Sequence, residues 1–233
     1  MKNRVPEKRA RRGRNNQSGL TLIELLIALV LGLIIVSAVV NMFAGSTRSA
    51  QFTAGLQSVQ ENGRFGLLTL TRGLRRAGYS PDDELAPFDF SLTTEDNIVL
   101  QERKSTDCSG QPTPSGIAVN TYSLDTSISQ IVCRGNSATA VAMPLVDEVY
   151  DFRVLYGLDL DDDRVSEQYV PFNATLDPLK INSVRLAILV GSDRPMRKNN
   201  VQETHMLLDT PYFSDSRLFY RVFTTTVLLR NRR

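Results

Sequence analysis

Gly19-Leu20-Thr21-Leu22-Ile23-Glu24-Leu25-Leu26-Ile27-Ala28-Leu29 opens a run that stays apolar as far as Gly45, and Glu24 is its only ionisable side chain. A helix of about 20 apolar residues spans a bilayer core, whereas the apolar core of a secretory signal is about 7–15 residues long. The length therefore predicts a retained anchor. The small residue of a signal-peptidase site should follow the run, yet Gly19 precedes it. Upstream, residues 1–19 carry seven basic side chains (Lys2, Arg4, Lys8, Arg9, Arg11, Arg12, Arg14) and one acidic, Glu7. Positive charge stays on the cytoplasmic side, so the N-terminus is expected there and residues beyond about 45 on the periplasmic or exterior side. Glu24 is the residue a bland anchor leaves unexplained. A carboxylate in lipid costs several kcal/mol unless it is paired or snorkels to the interface. A free α-amino group on a neighbouring helix would supply a partner if the chain were cut after Gly19.

The remainder sets the scale. At 233 residues the chain holds one ordinary domain with extensions, or two small ones. Without residues 1–19, 20 basic and 24 acidic side chains remain, a formal charge of −4. That removes the basic footprint a folded nucleic-acid-binding face would keep, so no nucleic-acid partner is expected. One His, two Cys and no Trp argue against a His-based metal site or a catalytic triad.

Beyond the apolar run, Phe52, Leu56, Val59, Gly63, Leu67, Leu70, Leu74 and Ala77 recur in steps of three and four, one face of a helix. Gly78 and Pro81 predict its end. Such a helix, from about Leu22 to Ala77, would be roughly 80 Å long. From residue 97 short β-rich runs follow: Asn97–Gln101, Ile117–Leu124, Ile128–Cys133, Ala138–Met143, Val149–Tyr156, Ser183–Val190 and Phe219–Leu229, with loops over Ser109–Gly116 and Ser192–Asn200. A long helix followed by an antiparallel sheet is an α+β architecture.

Ser18-Gly19-Leu20-Thr21-Leu22-Ile23-Glu24 resembles the class III signal of type IV prepilins: a basic leader, Gly before the cut, then T-L-I-E and a long apolar helix. The resemblance implies that a prepilin peptidase cleaves between Gly19 and Leu20 and that Leu20 is N-methylated. Leu20 replaces the family's usual Phe, a change conservative in size and polarity. It further implies that Glu24 pairs with an adjacent subunit. Glu61-Asn62-Gly63-Arg64-Phe65-Gly66-Leu67, Arg75-Arg76-Ala77-Gly78-Tyr79, Val154-Leu155-Tyr156-Gly157-Leu158-Asp159, Ser183 to Val190 and Arg221 to Asn231 resemble the PilW family of minor pilins. The implied fold is type IV pilin-like, a long N-terminal helix packed on an antiparallel sheet. The expected organisation is a cleaved leader at 1–19, a transmembrane half-helix at 20–45, an amphipathic half-helix at 46–78 and a periplasmic β-rich head at 79–233.

In an oxidising periplasm Cys108 and Cys133 are read as a structural disulfide, the alternative being two buried thiols. Closing that loop stabilises by roughly 3 kcal/mol. Asp159, Asp161 and Asp163 have the D-x-D-x-D opening of a calcium loop, but Arg164 stands where the turn wants Gly and Val170 where the bidentate Glu belongs. A solvated acidic turn is the preferred reading, and no cofactor is otherwise expected. His205 is expected in a loop or at a strand end, without a ligand role. No Gly-rich phosphate loop, G-x-S-x-G or H-E-x-x-H pattern occurs.

The leading expectation is thus a non-catalytic minor pilin. It would be anchored in the inner membrane, handled by the prepilin peptidase and an assembly platform, and joined to other minor pilins and a tip adhesin in a complex that primes the pilus and sits at its extracellular tip. A minor pseudopilin of type II secretion is the alternative, and a membrane-anchored periplasmic enzyme the third.

Overall fold

The computed structural model describes Gly19 and residues 21–81, 84–95 and 97–231. Helix α1 runs Leu22–Arg76. It is followed by β1 (Asn97–Arg103), β2 (Ile117–Asp125), β3 (Gln130–Arg134), β4 (Met143–Val146), β5 (Val149–Leu158), β6 (Gln168–Val170), a 3-10 turn (Pro178–Lys180), β7 (Ile181–Gly191), β8 (Val201–Leu207), β9 (Thr210–Ser216) and β10 (Tyr220–Leu228). The chain divides into two units, residues 1–50 and 51–233.

The first unit is the N-terminal part of α1. Among the described residues nothing covers its apolar side chains, and every large one from Leu22 to Phe43 is more than half exposed. Each such side chain left in water forgoes roughly 1.5–3 kcal/mol of burial.

In the second unit the remainder of α1 lies on antiparallel sheets, strand order β1-β2-β3-β4 and β10-β7-β5-β6. Its inner face is built on glycine as much as on leucine: Gly55, Val59, Gly63, Gly66, Leu70, Gly73 and Leu74 are buried. Of the stripe expected from periodicity, Val59, Gly63, Leu70, Leu74 and Ala77 are buried, Leu56 and Leu67 half-buried, and Phe52 is exposed. The missing Cβ atoms let the sheets approach. One added at Gly63 would overlap the Phe223 ring of β10, and at Gly66 it would lie 2.9 Å from Ile188 Cδ1 of β7. At Gly73 it would lie 3.1 Å from the Tyr122 hydroxyl of β2. The helix ends with Gly78 at φ +75°, a left-handed geometry glycine adopts without strain, its N–H donating to Gln101 O at 2.8 Å. Asn231 Nδ2 donates to the Arg75 and Ala77 carbonyls left over at that end.

Strand β7 is buried on both faces. Val184, Leu186, Ile188 and Val190 face the main core, while Ala187 and Leu189 pack with Leu207 and Tyr220 in a second cluster. The β8–β9 hairpin supplies that second cover, which explains why residues 183–190 read as one apolar run. Phe88, Phe90, Tyr156 and Phe172 form an aromatic cluster with edge-on contacts, such as 5.5 Å between the Phe88 and Tyr156 rings.

Several expected strands differ. Ala138–Met143 is not one: residues 137–140 turn, with Ser137 N donating to Asp107 Oδ2, and the strand is Met143–Val146, where Pro144 sits on a sheet edge that needs no donor from it. β3 starts at Gln130, leaving Ile128 exposed in the preceding turn. Hairpin β8–β9 and the short β6 were not expected, so among the described residues the single sheet resolves into two four-stranded sheets and a hairpin, with every pairing between these strands antiparallel.

Candidate assembly interface

Glu24 occupies the first turn of α1. Thr21 precedes the helix as its N-cap: the Glu24 N–H lies 3.4 Å from Thr21 Oγ1 and 3.1 Å from Thr21 O. Threonine at the cap and glutamate three residues on form the capping-box pattern. Such a cap is worth about 1 kcal/mol, and a carboxylate at a helix N-terminus gains a further 0.3–1 kcal/mol or so. Glu24 therefore has a local role that the sequence reading missed, although T-x-x-E was there to be read. Its side chain is exposed among Ile23, Leu25 and Ile27, which are exposed too. Gly19 is exposed, while Leu20 and the basic leader at 1–18 lie outside the described residues. The arrangement combines an apolar cylinder with, among the described residues, a single carboxylate near its N-terminal end, a surface suited to neighbouring helices or lipid and to one cation.

Cys108 and Cys133 are joined, with Cα atoms 6.4 Å apart. The bridge ties the loop after β1 to β3. Beside it, Asp107 is buried and serves as a hub: Oδ1 accepts from Ser109 N (2.9 Å), Ser109 Oγ (2.6 Å) and Gln111 N (3.1 Å), and Oδ2 from Ser137 N (3.2 Å). Burial pushes its carboxyl up, but these hydrogen bonds together outweigh burial and hold it below the ordinary carboxylate range. Tyr122, under the end of α1, is pushed up to about 12, chiefly by burial.

The acidic loop brings together Asp159, Asp161, Asp163 and also Glu167, with carboxylate oxygens within 4.8 Å of one another. Calcium takes oxygen ligands at about 2.3–2.6 Å, so opposed ligands are about 5 Å apart and the cluster fits that size. Each carboxylate already accepts a backbone N–H: Asp159 from Arg164, Asp161 from Asp163, Asp163 from Val165 and Glu167 from Leu160. Arg164 holds φ 71° where a calcium loop places Gly. Val170 is paired with Tyr156 in β6, and Glu167 takes the place in the cluster that the sequence reading had left without a carboxylate. Asp162 pairs with Lys180 at 3.0 Å. His205 lies within β8, not at a strand end, with Nε2 3.2 Å from Ser214 Oγ.

An exposed apolar helix with one first-turn acid, and a half-helix laid on antiparallel sheets, define the prepilin class, and the prokaryotic N-terminal methylation motif matches residues 14–40. The Type IV Pilus-assembly protein W family model matches residues 117–231. No curated protein matches the chain. Among solved structures, a type IV-like pilin from Thermus thermophilus is similar over 74% of this chain and 95% of its own, at 13% identity and a TM-score of 0.45. The methylation motif is the mark of processing by a prepilin peptidase, and the apolar helix that of a membrane anchor.

Proposed function

We propose that this chain is a minor pilin that waits in the inner membrane with its N-terminus cytoplasmic, is cut between Gly19 and Leu20, is methylated at Leu20, and joins other minor pilins in a complex that primes the pilus and stays at its tip. The observation that carries the reading is the apolar half of α1, with its large side chains exposed and Glu24 near its start. Packed among like helices, those side chains are buried, and Glu24 meets a neighbour's N-terminal ammonium, so two groups costly in lipid offset one another. The PilW match favours a pilus over a secretion pseudopilus. The role is structural, without chemistry of its own.

Glu24→Ala tests this. Membrane insertion and cleavage should persist, with mature protein still beginning at Leu20, while co-purification with other minor pilins and the number of surface pili fall at equal protein level. Normal association and piliation would defeat the pairing mechanism. An intact Met1 start in cells with active peptidase would defeat the processing step.

A further inference from the structure

Strand β10 is an edge of its sheet, and the hydrogen bonds at its two ends fix which backbone groups lie on the open side. Ser192 N donates to Phe219 O, and Leu229 N to Asn182 O. Antiparallel pairs alternate between bonded and non-bonded, so Arg221, Phe223, Thr225 and Val227 turn their N–H and C=O groups to β7. Val222, Thr224, Thr226 and Leu228 turn theirs away from it. Among the described residues no backbone hydrogen bond meets those outward groups. Thr224, Thr226 and Leu228 are exposed. The other edges of the two large sheets are guarded. The preceding chain covers β1: Gln101 N donates to Pro87 O, Arg103 N to Tyr79 O and Asp89 N to Val99 O. β4 has four residues, one of them Pro144, against a register shift in β3, and β6 has three. β10 has nine residues in unbroken register, with no Pro and with Arg221 as its one charge. Its centre, Val222-Phe223-Thr224-Thr225-Thr226-Val227, consists of strong strand formers. A long edge of this kind without guards is a template for a further strand.

We infer that β10 takes an extended, carboxylate-bearing segment of another protein as an added strand. The form of the occupant follows from hydrogen bonding. Outward donors and acceptors recur at every second residue, about 6.8 Å apart, a spacing that an extended backbone matches and a helix or a lipid does not. Its charge follows from two arginines. Arg221 is exposed, and Arg185 of β7 reaches to the edge, with Nε 3.4 Å from Thr226 Oγ1. Among the described residues neither pairs with a carboxylate. A second copy of this chain does not fit. Antiparallel pairing of β10 with β10 turns one copy by about 180° in the plane of the sheet and reverses its helix, whereas chains anchored in one membrane carry it in the same direction. That exclusion rests on the anchor proposed above; the hydrogen-bonding argument does not.

A photo-crosslinking residue at Thr226 of the full chain, in the cells that naturally make it, tests the contact. The expected result is an adduct whose attached peptide, identified by mass spectrometry, belongs to another protein and contains Asp or Glu. A synthetic peptide of that sequence, added to the detergent-solubilised native chain, should slow amide exchange at Val222, Thr224, Thr226 and Leu228. Thr224→Pro removes an outward N–H while leaving the β7 ladder whole, so the adduct should fall about tenfold with the unfolding midpoint unchanged. Thr224→Asp keeps the backbone and sets like charge against the occupant, so it should lower the adduct as well and decides the matter if Pro shifts the midpoint. Adducts only to lipid or to this chain, no adduct, an adduct that survives both substitutions, or exchange unchanged at those four amides would each overturn the inference. The pilin reading, tested at Glu24, would stand.

Discussion

Gly63→Ala sets two opposed effects of known size against each other. In a solvent-facing helix the change stabilises by about 1 kcal/mol, because alanine is the better helix former. Here the new methyl would overlap the Phe223 ring, which β10 holds against the helix. Overpacking of this kind costs about 1–3 kcal/mol. The cheapest relief is for the half-buried ring to swing outward, which forfeits part of the roughly 1.5–3 kcal/mol that burying a phenyl ring provides. Subtracting the propensity gain leaves a net loss of about 1 kcal/mol. In a Phe223→Ala background the methyl fits and the propensity gain returns, so the same substitution should stabilise by up to about 1 kcal/mol, a coupling of about 2 kcal/mol. Urea unfolding of the detergent-solubilised chain would measure this by far-ultraviolet circular dichroism and by tyrosine fluorescence, which no Trp obscures. Stabilisation by Gly63→Ala with Phe223 intact would refute the close approach.

Breaking Cys108–Cys133 with paired Ser substitutions should destabilise by about 3 kcal/mol, the loop entropy for a separation of 25 residues, and non-reducing mass spectrometry should find the linked peptides in the native protein. Asp107→Asn should cost about 1–2 kcal/mol at neutral pH through lost charge-assisted hydrogen bonds. Because the folded Asp107 carboxyl titrates below the unfolded one, its contribution is present above about pH 4 and lost as pH falls further, so variant and native unfolding midpoints should converge in acid. As a solvated turn, the cluster of Asp159, Asp161, Asp163 and Glu167 should give no shift of the unfolding temperature at micromolar calcium, any effect being confined to about 0.1 mM or above. Submicromolar binding by calorimetry would overturn the solvated-turn reading.

The apolar run, the disulfide partners and the helix were legible in the sequence because each depends on nearby residues or on simple counting. Apolar length marks a helix long enough to span a bilayer, a repeat of three and four identifies a helix face, and two cysteines admit one intramolecular pair. The capping of Glu24 by Thr21 is equally local and was legible, though it went unread behind the cost of a charge in lipid. Tertiary structure alone decided the rest. Which glycines of α1 face inward follows from where Phe223, Ile188 and Tyr122 stand on distant strands, since a residue without a side chain leaves no hydrophobic mark. The division into two sheets and a hairpin was hidden by β8 and β9: both are largely polar, and Pro211 interrupts the second. Their place is set by β7, whose second face needs a cover. Glu167 joins Asp159, Asp161 and Asp163 because the loop folds back before β6, a register that spacing along the chain does not encode.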